Sequence, residues 1–295
     1  MRKFRLINGQ GGSFDLNRKD SFFHDIKGFG FDDATQYEQI GRDFYPLEEI
    51  LSQGKIEGKI LFAGEKPYET YREFARFIRS TPLTLVYQPD EVFRVPVRVA
   101  SLGKEELSHG GAALISDISF IAQGLFYKSV NKYSNTLSIG GKIYPYTYDY
   151  AYSDISYNSV EIESDSYEDS PCKITIQGPC INPVWKHYVN NVLYETGAYV
   201  GTISSDHKLV IDTTKMPYSI TERGAGDDIV ADRYQLCDFT TERFFHLQHG
   251  SNRITVSHEG INTLNVIVEG RISYETEKCR DFHTRLNDGW THQHQ

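Results

Sequence analysis

The spacing of hydrophobic residues predicts one amphipathic helix in the first half of the chain. Its apolar positions recur at i, i+3, i+4 and i+7, namely Tyr71, Phe74, Ala75 and Ile78. Pro67 suits the first turn of a helix, and Pro82 cannot continue one. The sequence therefore predicts a helix that begins near Pro67, ends before Pro82 and packs one face against a sheet.

Alternating hydrophobic and polar residues predict several strands after this helix. Residues 83–87 form a short apolar run, a Gln-Pro-Asp turn follows, and residues 93–99 then alternate phenylalanine or valine with arginine or proline. A further strand is predicted over residues 112–122. We therefore expect the first domain to be a β-sandwich or split barrel that carries one helix.

The second half of the chain has the pattern of an antiparallel β-sandwich. A polar, glycine-containing stretch at residues 128–141 marks the boundary, which we place near Asn135. Beyond it, short alternating runs are separated by turn residues, at 159–163, 172–177, 198–204, 208–212, 253–258 and 263–268. The predicted fold is mainly β with two domains, over residues 1–135 and 136–295.

A tyrosine repeat directly follows the predicted boundary. The sequence IYPYTYDYAY places five tyrosines at successive even positions, so an extended segment would carry all the rings on one face. One interpretation is a strand whose rings cover the joint between the domains. The other is a sugar-stacking or partner-binding ladder, for which we take Tyr146, Tyr148 and Tyr150 as candidates.

Composition and charge narrow the possible partners. The 295 residues include 20 Tyr and 17 Phe but only 2 Met, a balance that favours strands over helix bundles. Residues 1–135 hold 18 basic and 18 acidic side chains, so the remainder holds 13 and 22 and carries the whole net charge of −9. Such a surface repels phosphate backbones, and we expect no specific nucleic-acid partner.

Hydropathy gives no indication of a membrane protein. No apolar run reaches the roughly 18 residues of a membrane-spanning helix, and no apolar stretch follows the basic N-terminal residues as it would in a secretion signal. We therefore expect no membrane insertion.

Motifs for catalysis, cofactors or metals are missing from the sequence. The four cysteines form no C-x-x-C pair, G-x-S-x-G does not occur, and the glycines of Gly28-Phe29-Gly30 lack the setting of a phosphate-binding loop. His246 and His249 lie three residues apart, but Gly250 and its neighbours indicate a turn between strands, so ordinary strand histidines are expected. We expect a protein that is not an enzyme and has no cofactor.

Sugar binding is the small-ligand hypothesis that the residues allow. Trp185 and Tyr188 lie close to Asn190 and Asn191, and sugars are held by aromatic rings with nearby polar groups. The alternative is that these aromatic residues belong to the core or to a protein interface.

Several stretches resemble the distal tail protein family of long-tailed, non-contractile bacteriophages and prophages of Gram-positive bacteria. In the first half these are YETYREFARFIRSTPLTLVYQPD at 68–90, the arginine-valine strand at 92–99 and the hydrophobic run at 112–121. In the second half they are the tyrosine repeat, ITIQGPCINPVW, KLVIDT and FFHLQHGSNRITV.

This resemblance implies a structural hub of the virion tail tip or baseplate, made in the host bacterial cytoplasm. The N-terminal domain would form a hexameric ring, and the C-terminal domain would be galectin-like. The implied partners are the tail tube protein, the tail-associated lysin or tail fibre, and the receptor-binding protein, which mediates host attachment. A sugar-binding galectin would have histidine and arginine around its Asn-Pro, and Asn182-Pro183 lacks them. The alternative function is a carbohydrate-binding module that recognises host cell-wall sugars through its C-terminal sandwich.

Overall fold

The computed structural model describes residues 2–30, 35–48, 52–106, 113–137, 157–166, 168–238, 244–260 and 264–274. These residues divide into two compact units: the first runs to Lys128 and includes Tyr274, and the second spans Ser129–Ser273. The predicted mainly β fold is confirmed. The division into a ring-forming domain over residues 1–135 and a galectin-like domain over residues 136–295 stays a prediction.

The first unit is an antiparallel β structure with one α-helix among its described residues. Its elements are β1 (Lys3–Ile7), β2 (Ser13–Asp15), β3 (Asn17–Arg18), β4 (Ser21–Lys27), β5 (Gln36–Ile40), β6 (Asp43–Glu48), β7 (Lys55–Ala63), α1 (Pro67–Phe77), β8 (Leu83–Gln88), β9 (Phe93–Leu102), β10 (Glu105–Glu106), β11 (Ala113–Ala122) and the start of β12 (Phe126–Tyr133), which passes into the second unit after Lys128. The strands follow the order β9-β11-β7-β4-β3, while β8 pairs with both β9 and β1.

Helix α1 forms where the apolar spacing predicts it and packs through aromatic rings. Phe74 is fully buried, and its ring lies 5.0 Å from that of Phe14 and 5.7 Å from that of Phe62. Tyr71 meets Phe62 edge to face at 5.7 Å. The helix ends at Phe77, with Ile78 as its C-cap. These contacts attach α1 to β7, which confirms the expected packing of helix on sheet.

The predicted strands of the first unit are also present. Strand β8 covers the apolar run at 83–87, and β9 extends the alternating segment to Leu102. Their register pairs Leu83 with Val97 and Leu85 with Val95, all four of which are buried. Alternation therefore predicted the buried face correctly, because side chains on a strand point to opposite faces in turn.

The second unit contains two larger antiparallel sheets and one two-stranded sheet among its described residues. Its elements are β13 (Asn135–Leu137), β14 (Tyr157–Ser164), β15 (Ser170–Gln177), β16 (Cys180–Ile181), β17 (Val184–Val189), β18 (Val192–Ala198), β19 (Thr202–Ile203), β20 (Lys208–Asp212), β21 (Ser219–Arg223), β22 (Ile229–Asp232), a 3-10 turn (Tyr234–Leu236), β23 (His246–Leu247), β24 (Gly250–Ser257) and β25 (Val266–Tyr274). One of the larger sheets has the order β22-β21-β20-β15-β25, and the other has the order β13-β14-β24-β17-β18. The two-stranded sheet pairs β16 with β19.

Most strands predicted for this unit are present, although β25 begins only at Val266 within the predicted run 263–268. The runs at 159–163, 172–177 and 208–212 lie in β14, β15 and β20. The segment 198–204 is divided instead, because β18 ends at Ala198 and β19 begins at Thr202. Gly201 has a φ of 152° between them, a conformation that strands do not adopt. None of the helices in the described residues is long and apolar enough to span a membrane.

Candidate functional site

An exposed hairpin in the first unit is the most unusual surface feature. Strands β5 and β6 pair with each other as a separate two-stranded sheet within the described part of the chain. The register joins Ile40 to Asp43, which leaves a two-residue turn in which Gly41 has a φ of 70°. That positive φ is suited to the tight turn of a hairpin.

This hairpin carries large hydrophobic side chains that face solvent. The exposed residues are Tyr37, Ile40, Phe44, Tyr45 and Leu47, with Phe44 66% exposed. An isolated two-stranded hairpin is only marginally stable in water, and a cluster of exposed apolar residues marks an interaction surface. We call these five residues the hairpin surface.

The predicted sugar platform is not assembled around Trp185. This side chain is 0% exposed and belongs to the core of the second unit. Trp185 lies on β17, where it pairs with Val256 of β24 and Gly197 of β18. A buried indole offers no face on which a sugar can stack. Trp185 is therefore a core residue, which is the alternative that the sequence analysis gave to sugar binding.

Tyr188 lies on the same strand but does not join Trp185. It is partly exposed, and the guanidinium of Arg253 lies 4.5 Å from the centre of its ring. Three residues along a strand lead to the opposite face, so the two aromatic rings point apart. Asn190 and Asn191, with φ values of 49° and 67°, form the turn between β17 and β18. Tyr146, Tyr148 and Tyr150 lie outside the described residues.

Gly197 is where the core leaves room for the indole of Trp185. A Cβ placed on Gly197 would overlap the Nε1 edge of that ring. Gly197→Ala is therefore expected to destabilise the second unit by about 1–3 kcal/mol through overpacking. Thermal unfolding followed by circular dichroism measures this loss, and Gly30→Ala is the control, because nothing lies within 4 Å of a Cβ there. An equal loss for both variants would contradict the explanation.

The histidines considered as metal ligands have separate hydrogen-bond partners. His246 Nε2 lies 3.0 Å from the hydroxyl of Tyr218, and His249 Nδ1 lies 3.2 Å from the carbonyl of Ser166. Among the residues that the structure describes, no group of three or more His, Cys, Asp or Glu side chains is arranged to hold a metal ion.

Three cysteines of the second unit are buried. Burial raises the pKa of Cys172 to about 12 and that of Cys180 to about 11. Cys237 is also buried. Since the thiolate is the nucleophilic form, Cys172 and Cys180 are not suited to catalysis near neutral pH.

Glu222 is the centre of a charged network on β21. Its carboxylate accepts hydrogen bonds from Nε and Nη2 of Arg233 at 2.8 and 2.6 Å, and it also contacts Nδ1 of His207. Burial by itself would raise the pKa of Glu222, but the bonds from His207 and Arg233 outweigh it and lower that pKa. The bond to Glu222 raises the pKa of His207. Sequence reasoning missed this network, because 11 and 15 residues separate the partners from Glu222.

Comparison with known proteins gives one family and a set of similar folds. Residues 3–123 match the family model described as the distal tail protein, N-terminal domain. No curated protein sequence matches the chain.

Solved structures from phages share the fold of nearly the whole chain. A chain of the phage P2 baseplate in its activated conformation with Ca is 15% identical, with a TM-score of 0.64 over 94% of this chain and 99% of that one. The phage P2 baseplate with Sr gives the same values. The SPP1 Dit (gp 19.1) protein, described as a paradigm of the hub adsorption apparatus in phages infecting Gram-positive bacteria, is 10% identical. Its TM-score is 0.59 over 90% of this chain and 98% of that one.

Proposed function

From the match of residues 3–123 to the family model of the distal tail protein, N-terminal domain, we infer that this chain is a structural component of a phage tail tip or baseplate. On this proposal the protein lies in the virion tail, and its role there is structural and not enzymatic.

We propose further that six copies form a closed ring through the first unit. The hairpin surface is the observation that carries this proposal. Five large hydrophobic side chains on a two-stranded hairpin gain stability only when another surface covers them, at roughly 1.5–3 kcal/mol for each fully buried side chain. In a ring, each copy offers its hairpin to a neighbour, and the same contact repeats until the ring closes.

The proposed hub connects other tail proteins. The ring would contact the tail tube protein, and the second unit would dock the tail-associated lysin or tail fibre and the receptor-binding protein. The number six and these partners come from the resemblance to the family. The fold shared with hub and baseplate chains supports them, because it extends over both units of this chain.

The carbohydrate-binding alternative has weaker support. Its central residue, Trp185, is fully buried, and Tyr188 is covered on one side by Arg253. A cell-wall glycan binding assay that compares the wild type with the Tyr188→Ala variant tests whether Tyr188 binds carbohydrate. Specific binding that is lost in this variant would favour the carbohydrate-binding function over the hub.

Native mass spectrometry tests the ring directly. Six copies of the 33.8 kDa chain give a species of 202.8 kDa, which we expect to dominate at high protein concentration. Phe44→Asp places a charge within the hairpin surface and is expected to shift the population to monomer, since a buried unpaired charge costs several kcal/mol. Met216→Asp, at a residue 79% exposed in the second unit, is the control and should leave the ring intact.

Two results would contradict the ring. One is a wild-type chain that stays monomeric even with the purified tail tube protein added to nucleate assembly. The other is a Phe44→Asp variant that still assembles as well as Met216→Asp. The circular dichroism spectra of both variants should match that of the wild type, because both residues are exposed in the isolated chain.

A further inference from the structure

A second group of exposed apolar side chains lies on β22 and on the neighbouring segments of the second unit. Its residues are Val200, Ile229, Val230, Tyr234 and Leu236, and we call them the β22 patch. Ile229 is 64% exposed and Val200 61%. The backbone N–H of Val200 donates to the carbonyl of Leu236 at 2.9 Å, so these two segments are adjacent. Exposed apolar side chains grouped on neighbouring segments commonly mark sites of protein–protein interaction.

A β-bulge contributes to the exposure of Val230. Strand β22 is the last strand in its sheet within the described residues, and its register pairs Ala231 with Glu222 but Ile229 with Arg223. Val230 is therefore the extra residue of a bulge. Bulges redirect side chains and end regular pairing, so this one turns apolar side chains to solvent at the edge of the sheet.

The base of the β22 patch is held firmly by charged contacts. Arg233 lies between β22 and the 3-10 turn, and it binds Glu222 through two hydrogen bonds. Its own backbone N–H donates to the carbonyl of Ile220 at 2.9 Å. In the turn before β22, Asp227 forms ion pairs with Lys208 at 2.8 Å and with Arg223 at 3.1 Å. A surface fixed in this way loses little conformational entropy on docking.

The exposed charges around the patch are acidic. Asp227 and Asp228 precede Ile229, Asp232 is the last residue of β22, and all three are exposed. The nearby basic side chains are already used, because Lys208 and Arg223 bind Asp227 and Arg233 binds Glu222. Two copies of this patch would bring like charges together, which disfavours self-association. A partner with lysine or arginine around its apolar residues is complementary.

We propose that the β22 patch is a docking surface for a partner protein whose contact segment combines apolar and basic side chains. In a phage tail the partner would be another tail protein. The proposal uses the second unit alone and does not require the ring, so each can fail without the other.

Binding of a synthetic peptide to the full chain tests the proposal. The probe is a short, terminally blocked peptide of alternating lysine and valine, and the matched probe has glutamate in place of lysine. Isothermal titration calorimetry at low ionic strength should detect binding of the lysine peptide but not of the glutamate peptide. Low ionic strength is used because pairing between surface charges is strongest at low salt.

Matched variants locate the binding site. Val230→Ser removes apolar surface, and Asp228→Asn removes a charge. Each variant should lower the affinity for the lysine peptide by roughly tenfold or less. Val192→Ser, at another exposed valine of the second unit, should leave the affinity unchanged. Equal effects of Val230→Ser and Val192→Ser, or equal binding of both peptides, would overturn the proposal. So would self-association of the wild type that Val230→Ser abolishes, which would identify a second copy as the occupant.

Discussion

Trp185→Ala is expected to lower the free energy of unfolding of the second unit by about 3–5 kcal/mol. The indole is 0% exposed, and it packs against Gly197, where a side chain would overlap it. Neighbouring strands fix its position, since Val256 and Gly197 pair with Trp185 from either side. Because these strands cannot close around alanine, the variant keeps a cavity and loses the transfer free energy of the ring.

Chemical denaturation followed by circular dichroism measures this effect without relying on tryptophan fluorescence. Tyr188→Ala on the same strand is the control. Because Tyr188 is partly exposed, its replacement should lower the free energy of unfolding by less. A loss for Trp185→Ala no larger than that for Tyr188→Ala would show that the indole is not a core residue. Such a result would restore Trp185 as a candidate ligand contact.

Glu222→Gln is expected to destabilise the second unit by about 2 kcal/mol near pH 5–6. Removing one member of a buried ion pair costs about 3–5 kcal/mol, and the partial exposure of His207 and Arg233 reduces that figure. Glutamine fills the same volume but cannot neutralise Arg233. The loss therefore reports on charge and not on packing.

The pH dependence of this difference follows from the two pKa shifts. The pKa of Glu222 is lowered from its ordinary value of 4.5, so its contribution is present above that pH and is lost as the pH falls through the folded-state pKa. The pKa of His207 is raised from 6.5, so its contribution is present below that pH and is lost as the pH rises through the folded-state pKa. The stability difference between wild type and Glu222→Gln should be largest between these values.

Urea unfolding of both proteins across this pH range provides the measurement. Glu163→Gln, at an exposed carboxylate of β14, is the control and should change little at any pH. A difference between wild type and Glu222→Gln that stays constant from pH 4 to pH 8 would contradict the linkage of Glu222 to His207.

The elements that the sequence predicted well are those whose hydrophobic spacing and burial agree. Helix α1 and strands β8 and β20 bury the side chains that the pattern selects, such as Phe74 and Leu85. Trp185 and Tyr188 were grouped because they are near in sequence. The two-residue period of a strand separates them, and applying that period to 184–189 would have predicted opposite faces.

The hairpin surface and the Glu222 network could not be predicted from the sequence, for a different reason. In the hairpin, Tyr37 and Phe44 have the composition of core residues, and only the tertiary structure shows that no part of the described chain covers them. The Glu222 network joins residues that lie on three separate segments. Local patterns report which side chains prefer burial but not which ones the fold leaves without it.

The exposed hairpin also has a consequence for the order of events in assembly. In an open arc of copies, the hairpin of one terminal copy stays uncovered, whatever the number of copies, whereas the closed ring of the proposal leaves none uncovered. Closing the ring adds one more contact without the loss of translational and rotational freedom that joining a further copy costs. Ring formation should therefore be cooperative, with few partial arcs present between the free chain and the finished ring.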